Sequence, residues 1–289
     1  MERPIFRFAP SPNGHLHLGH AYSALLNQKL AQEAGGRMLL RIEDIDTARC
    51  TPQLEAESIE DLGWLGFHWD EPVRRQSDHF ADYEQALSTL IAADLAYRST
   101  MTRGELRAYV AGKEATGQTW PRDPDGAPIF PGRAYEADQF DEDSTGVWRL
   151  DVNASLEHLG LREVAWPENG AGPDGENGTV KANPAVWGDF VLARRDTPTS
   201  YHLSVVVDDH LQRVSHIVRG RDLYYATSAH ALLQELLGFE RPSYFHHDLV
   251  MEPDERRKLS KSRQDTSLRA LRASGFTPRD IMRMVGLAV

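Results

Sequence analysis

Ile5-Phe-Arg-Phe-Ala-Pro-Ser-Pro-Asn-Gly-His-Leu-His-Leu-Gly-His20 is the stretch on which the fold turns. Its first four residues, apolar around one arginine, read as a short buried strand, and Pro10-Ser-Pro-Asn-Gly14 is a cluster of turn formers that ends it. A helix is expected from about Gly19 to Ala34, with Tyr22, Leu25, Leu26 and Leu30 on one face and Gly35-Gly36 as its stop. Met38-Leu-Leu-Arg-Ile42 then reads as the next strand. Strand, glycine-bearing loop, helix and strand make a βαβ unit, which carries the loop and helix start to the carboxyl edge of a parallel sheet, where ligands bind. The expected fold class is α/β, a Rossmann-like parallel sheet.

Outward from that unit, Thr51-Pro52 carries the N-cap and first-turn signature of a helix reaching about Leu62, and another helix fits about His79 to Ala93. The stretch from Arg98 to Asp143 is broken by Pro121, Pro124, Asp125-Gly126, Pro128 and Pro131-Gly132 and reads as an inserted α+β subdomain. Val147 to Val152 reads as a strand, and Glu168 to Gly178 as a flexible surface loop with nothing to bury. Order resumes at Trp187 to Ala193. Tyr201-His-Leu-Ser-Val-Val-Val207, ending in Asp208-Asp209, reads as a continuous apolar central strand. His216 to Gly220 is a further strand, a helix follows from about Asp222 to Leu237, and Phe245 to Val250 leads into a lysine-bearing loop and a short helical C-terminal segment. The expected units are 1–97 (first half of the catalytic domain), 98–146 (insertion), 147–240 (second half) and 241–289 (lysine loop and helical segment).

With 289 residues, 40% of them hydrophobic, the chain can bury one large core or two modest ones. It holds no apolar run of membrane-spanning length and no leader signature, so a soluble, cytoplasmic protein without a membrane partner is expected. Cys50 is the only cysteine, which excludes an internal disulfide and any zinc site built from several thiolates. A net charge of −11 argues against nucleic acid being gripped over the whole surface. The charge is uneven, however, with nine Lys/Arg against four acids between Asp254 and Val289.

Two clusters carry chemistry. His15-Leu-His-Leu-Gly-His20 sits at a loop-to-helix junction, where unpaired backbone N–H groups and the helix dipole favour a phosphate. His17 and His20 can donate to ATP, and Gly19 lets the nucleotide approach the backbone. No nearby carboxylate or thiol completes a metal set with the histidines, so no metal ligands are assigned. Lys258-Leu-Ser-Lys-Ser262 concentrates two of the five lysines in five positions. Together the clusters are suited to holding a triphosphate from both sides while its α-phosphorus is attacked.

Arg7-Phe-Ala-Pro-Ser-Pro-Asn-Gly14, His17-Leu-Gly-His20, Arg41-Ile-Glu-Asp-Ile-Asp46, Tyr201 to Asp209, Val218-Arg-Gly220 and Lys258-Leu-Ser-Lys-Ser262 resemble, in order and spacing, the glutamyl branch of class I aminoacyl-tRNA synthetases. The resemblance implies a Rossmann catalytic domain that uses ATP with Mg2+ to activate L-glutamate. By motif position, His17, His20, Lys258 and Lys261 are the catalytic group, with Gly19, Ser260 and Ser262 at the nucleotide. Arg7 and Arg219 would pair with the carboxylates of glutamate, Glu43 would hold its ammonium, and Ser11 and Tyr201 would add hydrogen bonds, with Phe8, Ala9 and Pro10 completing the wall. A doubly anionic amino acid calls for such arginine forks and one opposing carboxylate.

Only 27 residues follow Ser262, so no anticodon-reading helical domains are expected. The chain is therefore similar to the stand-alone glutamyl-Q tRNA(Asp) synthetases. That implies a monomer that transfers glutamate to the queuosine base at the wobble position of tRNA(Asp), with the anticodon stem-loop as partner. The alternative is a truncated glutamyl-tRNA synthetase charging the 3′ end of tRNA(Glu). A small-molecule nucleotidyltransferase and a non-catalytic paralogue fit the glutamate pocket and the His and Lys motifs less well. The sequence departs from the family in the insertion. Where many members hold zinc with thiolates, it reads Tyr97-Arg-Ser99-Thr-Met101 and Phe130-Pro-Gly132-Arg133. No zinc is expected, and packing of Tyr97, Leu106, Tyr109, Trp120 and Phe130 is expected to hold the insertion instead.

Overall fold

The computed structural model describes residues 3–137, 146–250 and 266–287 of the chain. In chain order its strands are β1 (Ile5–Phe8), β2 (Arg37–Ile42), β3 (Asp70–Arg75), β4 (Ala96–Ser99), β5 (Val147–Leu150), β6 (Val164–Glu168), β7 (Gly178–Ala182), β8 (Val191–Ala193), β9 (His216–Gly220) and β10 (Ser243–His247). The helices are α1 (Leu18–Glu33), α2 (Pro52–Leu65), α3 (Phe80–Ala92), α4 (Arg103–Ala115), α5 (Arg133–Ala137), α6 (Val152–Leu159), α7 (Tyr201–Leu211), α8 (Ala226–Leu237), α9 (Leu268–Ala273) and α10 (Pro278–Met284).

Seven strands form one sheet in the order β3-β2-β1-β9-β10-β6-β7, parallel throughout except for the β6–β7 pair. The chain runs from β1 through α1 to β2 on one side, and much later places β9 on the other side of β1. That reversal of winding direction splays the connections apart and opens a crevice beyond the carboxyl ends of β1 and β9. Apolar side chains of β1, β2, α1 and α2 form one core, which Leu268, Leu271 and Ile281 of the C-terminal helices also enter. A second core gathers α3, α6, α7 and α8. Among the described residues, no helix is long and apolar enough to cross a membrane.

Strands β4, β5 and β8 form a separate antiparallel sheet. Beside it, buried Tyr97, Met101 and Phe130 pack with Leu106, Tyr109 and Tyr135. Trp120 meets Tyr109 edge-on at 5.3 Å and donates from its indole to the Ile129 carbonyl at 2.8 Å. Among the described residues, no group of three or more His, Cys, Asp or Glu is arranged to hold a metal ion.

Two local expectations are corrected. The apolar run from Tyr201 is helix α7, not a strand. Ser200 caps it by accepting from the Leu203 N–H, and every residue from Leu203 to Asp209 is buried. A segment buried on all sides loses the periodicity that distinguishes helix from strand, so its apolar run was ambiguous. Glu168 ends β6 rather than opening a loose loop, and its carboxylate is fully buried against β10.

Candidate active site

At the crevice, the start of α1 has an unusual cap. His17 occupies the N-cap, and its Nδ1 accepts the Gly19 N–H at 3.1 Å, while Nδ1 of His20 accepts the His17 N–H at 3.1 Å. Two imidazoles thus fill the role that Ser and Glu play in the common capping box. A ring nitrogen that accepts carries no proton, so in the neutral rings the N–H lies on Nε2 of both histidines. The cap therefore fixes the tautomers as well as the helix start. Gly19 is tight, since a Cβ there would lie 3.0 Å from the His17 ring.

These histidines open onto a cleft of about 560 Å³ beyond the strand ends. Arg7, Phe8, Ala9, Pro10, Ser11, His17, Gly19, His20, Glu43, Tyr201 and Arg219 all line it, so the fold gathers in one place every described residue assigned to the site from sequence. Lys258, Ser260, Lys261 and Ser262 lie outside the described residues. The residues on either side of that segment are at the cleft. Val250 lines it, while Ser267 pairs as an antiparallel bridge with His17 and Leu268 donates its N–H to the Leu16 carbonyl at 2.8 Å.

The charged wall is held from behind by α7. Asp209 accepts from Nε of Arg7 at 3.1 Å and from Nη1 of Arg41 at 2.8 Å, and Arg41 also reaches Glu43 at 3.2 Å. Asp208 accepts from Nε of Arg74 at 2.7 Å, from Gln76 at 2.8 Å and from the Tyr83 hydroxyl at 3.0 Å. Burial would raise the Asp209 carboxyl, but Arg7 and Arg41 outweigh it and hold it below the ordinary range. Burial pushes the Glu43 carboxyl up, against the pull of Arg41 and Arg7. The Tyr201 phenol is pushed up to about 12 by burial and so remains a neutral hydrogen-bond donor.

Arg219, 5% exposed at the end of β9, has different company. It donates to His246 Nε2 at 3.1 Å and to Thr227 Oγ1 at 2.8 Å, and its Nη1 lies 3.2 Å from His230 Nδ1. Among the described residues it makes no ion pair with a carboxylate, which leaves a buried cation facing the cleft. Such a charge is costly unless an anion arrives. The cleft also has apolar lining, Leu223, Leu249 and Val250, together with His247. His247 Nδ1 faces the Asp248 carbonyl at 2.8 Å and must donate to it, so its buried Nε2, which has no hydrogen-bond partner among the described residues, is an acceptor.

A smaller cleft of about 200 Å³ adjoins the first and shares Ser11, Asn13, Glu43 and Tyr201 with it, adding Asp46, Arg49, Arg194 and Thr199. Sequence reading missed Asp208 and Asp209 as helical anchors, and missed Glu168, His246 and His247 altogether. The run His246-His247 at the end of an apolar strand was the available signal.

Residues 5–288 match the catalytic domain of class I tRNA synthetases (E and Q). The chain is 42% identical to a glutamyl-Q tRNA(Asp) synthetase of Rhodobacter capsulatus over 98% of its own length and 100% of that protein. It is 35% identical to a glutamate–tRNA ligase of Synechococcus over 97% of its length, and there it spans 56% of the relative. Among solved structures it is similar to a glutamate–tRNA synthetase from Elizabethkingia anophelis, at 27% identity and a TM-score of 0.77, covering 99% of this chain and 61% of that one. A glutamate–tRNA ligase from Elizabethkingia meningosepticum, solved with its amino acid, gives 27% identity and a TM-score of 0.76.

Proposed function

Because the chain belongs to the class I tRNA synthetases for glutamate and glutamine, we propose that it activates L-glutamate with ATP and transfers it to the queuosine base of tRNA(Asp). It is a ligase-type enzyme of the glutamyl kind. The observation that carries the queuosine reading is the 42% identity to a glutamyl-Q tRNA(Asp) synthetase along that protein's whole length, against 35% to a glutamate–tRNA ligase that the chain only partly spans.

In this reading glutamate lies across the charged wall. Its side-chain carboxylate meets Arg219, its ammonium meets Glu43, and Arg7, Ser11 and Tyr201 complete the contacts. The adenine rests against Leu223, Leu249 and Val250, with Nε2 of His247 accepting from its exocyclic amine. The triphosphate, with its magnesium, lies over the start of α1, where Nε2–H of His17 and His20 and the backbone of Gly19 face it. Lys258 and Lys261 would approach from the segment that Val250 and Ser267 bracket, with Ser260 and Ser262 beside the phosphates. An oxygen of the glutamate α-carboxylate attacks the α-phosphorus and the bond to pyrophosphate breaks. Preorganised donors offset the charge gathered on the phosphate oxygens. A hydroxyl of the queuosine cyclopentene ring then attacks the glutamyl carbonyl, AMP leaves, and the hydroxyl proton goes to solvent. The adjoining cleft along Asp46, Arg49 and Arg194 is the proposed route for that nucleoside. A cytoplasmic location belongs to the same reading.

The test is transfer of labelled glutamate, with ATP, to tRNA(Asp) with and without queuosine. Label is expected only on the modified tRNA; label on the 3′ end of unmodified tRNA(Glu) would show the truncated glutamyl-tRNA synthetase instead. Metal analysis of the purified protein is expected to give well under one zinc per chain, the insertion being held by its aromatic packing.

A further inference from the structure

Arg219 is the cleft's buried cation, and the groups behind it form a line leading away from the substrate. His246 Nε2 accepts from Arg219 Nε, and His246 Nδ1 lies 2.6 Å from Glu168 Oε2. Glu168, His246 and Thr227 are each at most 2% exposed. The other oxygen of Glu168 accepts backbone N–H groups from Gly170 at 3.0 Å and His246 at 2.9 Å. Gly170 lies so close that a Cβ there would stand 2.5 Å from the His246 carbonyl oxygen. The carboxylate is locked in place from both sides.

The proton positions follow from donor and acceptor identity. A carboxylate only accepts, so His246 carries its proton on Nδ1. Its Nε2 is then bare and takes the N–H that Arg219, which can only donate, directs at it. Thr227 Oγ1 stands 3.3 Å from the same nitrogen and accepts from Arg219 Nη2. On the other branch His230 Nδ1 must accept from Arg219, which places the His230 proton on Nε2, facing His202 Nδ1 at 3.2 Å. Three of the five guanidinium N–H groups are thereby committed to the protein, and two are left for a ligand carboxylate. Charge balances at one remove, with Glu168 offsetting Arg219 across a neutral ring.

We infer that Glu168 and His246 are positioning residues for glutamate recognition: the carboxylate fixes the imidazole tautomer, and that tautomer aims the Arg219 fork into the cleft. The inference rests on the reading of this cleft as a glutamate site. In Glu168→Gln the amide oxygen keeps the two backbone bonds and the amide N–H₂ faces His246 Nδ1. The ring proton must then move to Nε2, where it opposes Arg219 Nε–H and turns the fork away. The same geometry with the wrong tautomer is a known route to large losses in serine proteases.

The experiment has two parts. In glutamate-dependent ATP–pyrophosphate exchange, with and without tRNA(Asp), Glu168→Gln is expected to raise KM for glutamate roughly 10- to 100-fold, the range for one lost hydrogen bond to a charge. KM for ATP is expected to move less than about 2-fold, because the adenine wall is untouched. Equal changes in both, or none in either, would overturn the inference. Long-range proton–nitrogen correlation spectra of the histidine-labelled wild type, with His246 assigned from His246→Gln, are expected to show the Nδ1–H form. The Nε2–H form there would overturn it even if the variant does not fold. An inactive wild type with the Nδ1–H form would instead fault the glutamate reading.

Discussion

At the scale of single residues the cleft is a set of charges held in place by protein partners, with room for a ligand's opposite charges. Arg219 is the clearest case, being a cation whose near neighbours are two histidines and a threonine. Arg219→Lys keeps the charge but loses the fork and the contacts to His246 and Thr227. A rise of at least about 10-fold in KM for glutamate is expected in pyrophosphate exchange, with KM for ATP little changed. His17 and His20 show a different economy of means, since the acceptor bonds that start the helix also determine which ring nitrogen presents a proton. Gly19→Ala puts a methyl against the His17 ring. The disturbed cap should cost about 1 kcal/mol of stability, seen in urea unfolding, together with a several-fold higher KM for ATP.

At the scale of elements, α7 and the C-terminal helices do the most to hold the site together. Helix α7 brings Asp208 and Asp209 beneath β1, β2 and β3, where the two carboxylates hold Arg7, Arg41 and Arg74. Asp208→Asn leaves the Arg41 and Arg74 charges short of a partner in a site where Arg41 and Asp208 are both fully buried. A loss of about 3 kcal/mol in urea unfolding is expected, because removing one charge of a buried ionic set leaves the rest unbalanced even though Arg41 keeps Asp209 and Glu43 and Arg74 keeps Asp82. The basic C-terminal segment is partly spent on internal contacts. Arg272 reaches Glu60 on α2 at 3.0 Å and lies over the Trp64 ring, and Arg269 also pairs with Glu60. These half-exposed pairs contribute little each, but they seat α9 beside the His17 loop.

At the scale of the whole molecule, three histidines around Arg219, two of them buried (His230 and His246) and His202 half-buried, make the fold acid-sensitive. Burial pushes His202 and His246 down to about 4, and His230 well below its ordinary value. Their folded values lie below the unfolded value of about 6.5, so below that pH the unfolded chain binds protons that the folded chain refuses, and stability falls as pH falls. Each histidine contributes up to about 1.4 kcal/mol per pH unit in that window. Glu43, Asp61 and Asp189, raised by burial, act in the opposite sense, since the folded chain takes up their protons before the unfolded chain does. On acidification from pH 7 to 5.5 the melting temperature is expected to drop by roughly 3–8 °C. A flat or rising profile would contradict the neutral-histidine arrangement.

By itself the sequence determined what local rules govern: the βαβ start, the helix opening at Thr51-Pro52, and the residues that the first loop brings to the cleft, because caps, turn formers and half-buried periodicity act within a few positions of one another. It also placed Arg7, Glu43 and His17 near one sheet edge, since a βαβ unit leaves its loops little choice. Only the tertiary structure decided that the apolar run from Tyr201 is a helix, that Asp209 backs Arg7 from 202 positions away, and that Glu168 and His246 stand behind Arg219. A helix buried on every side shows no periodicity, and a buried charge finds its partner through the order of strands in the sheet, which no neighbouring residue encodes.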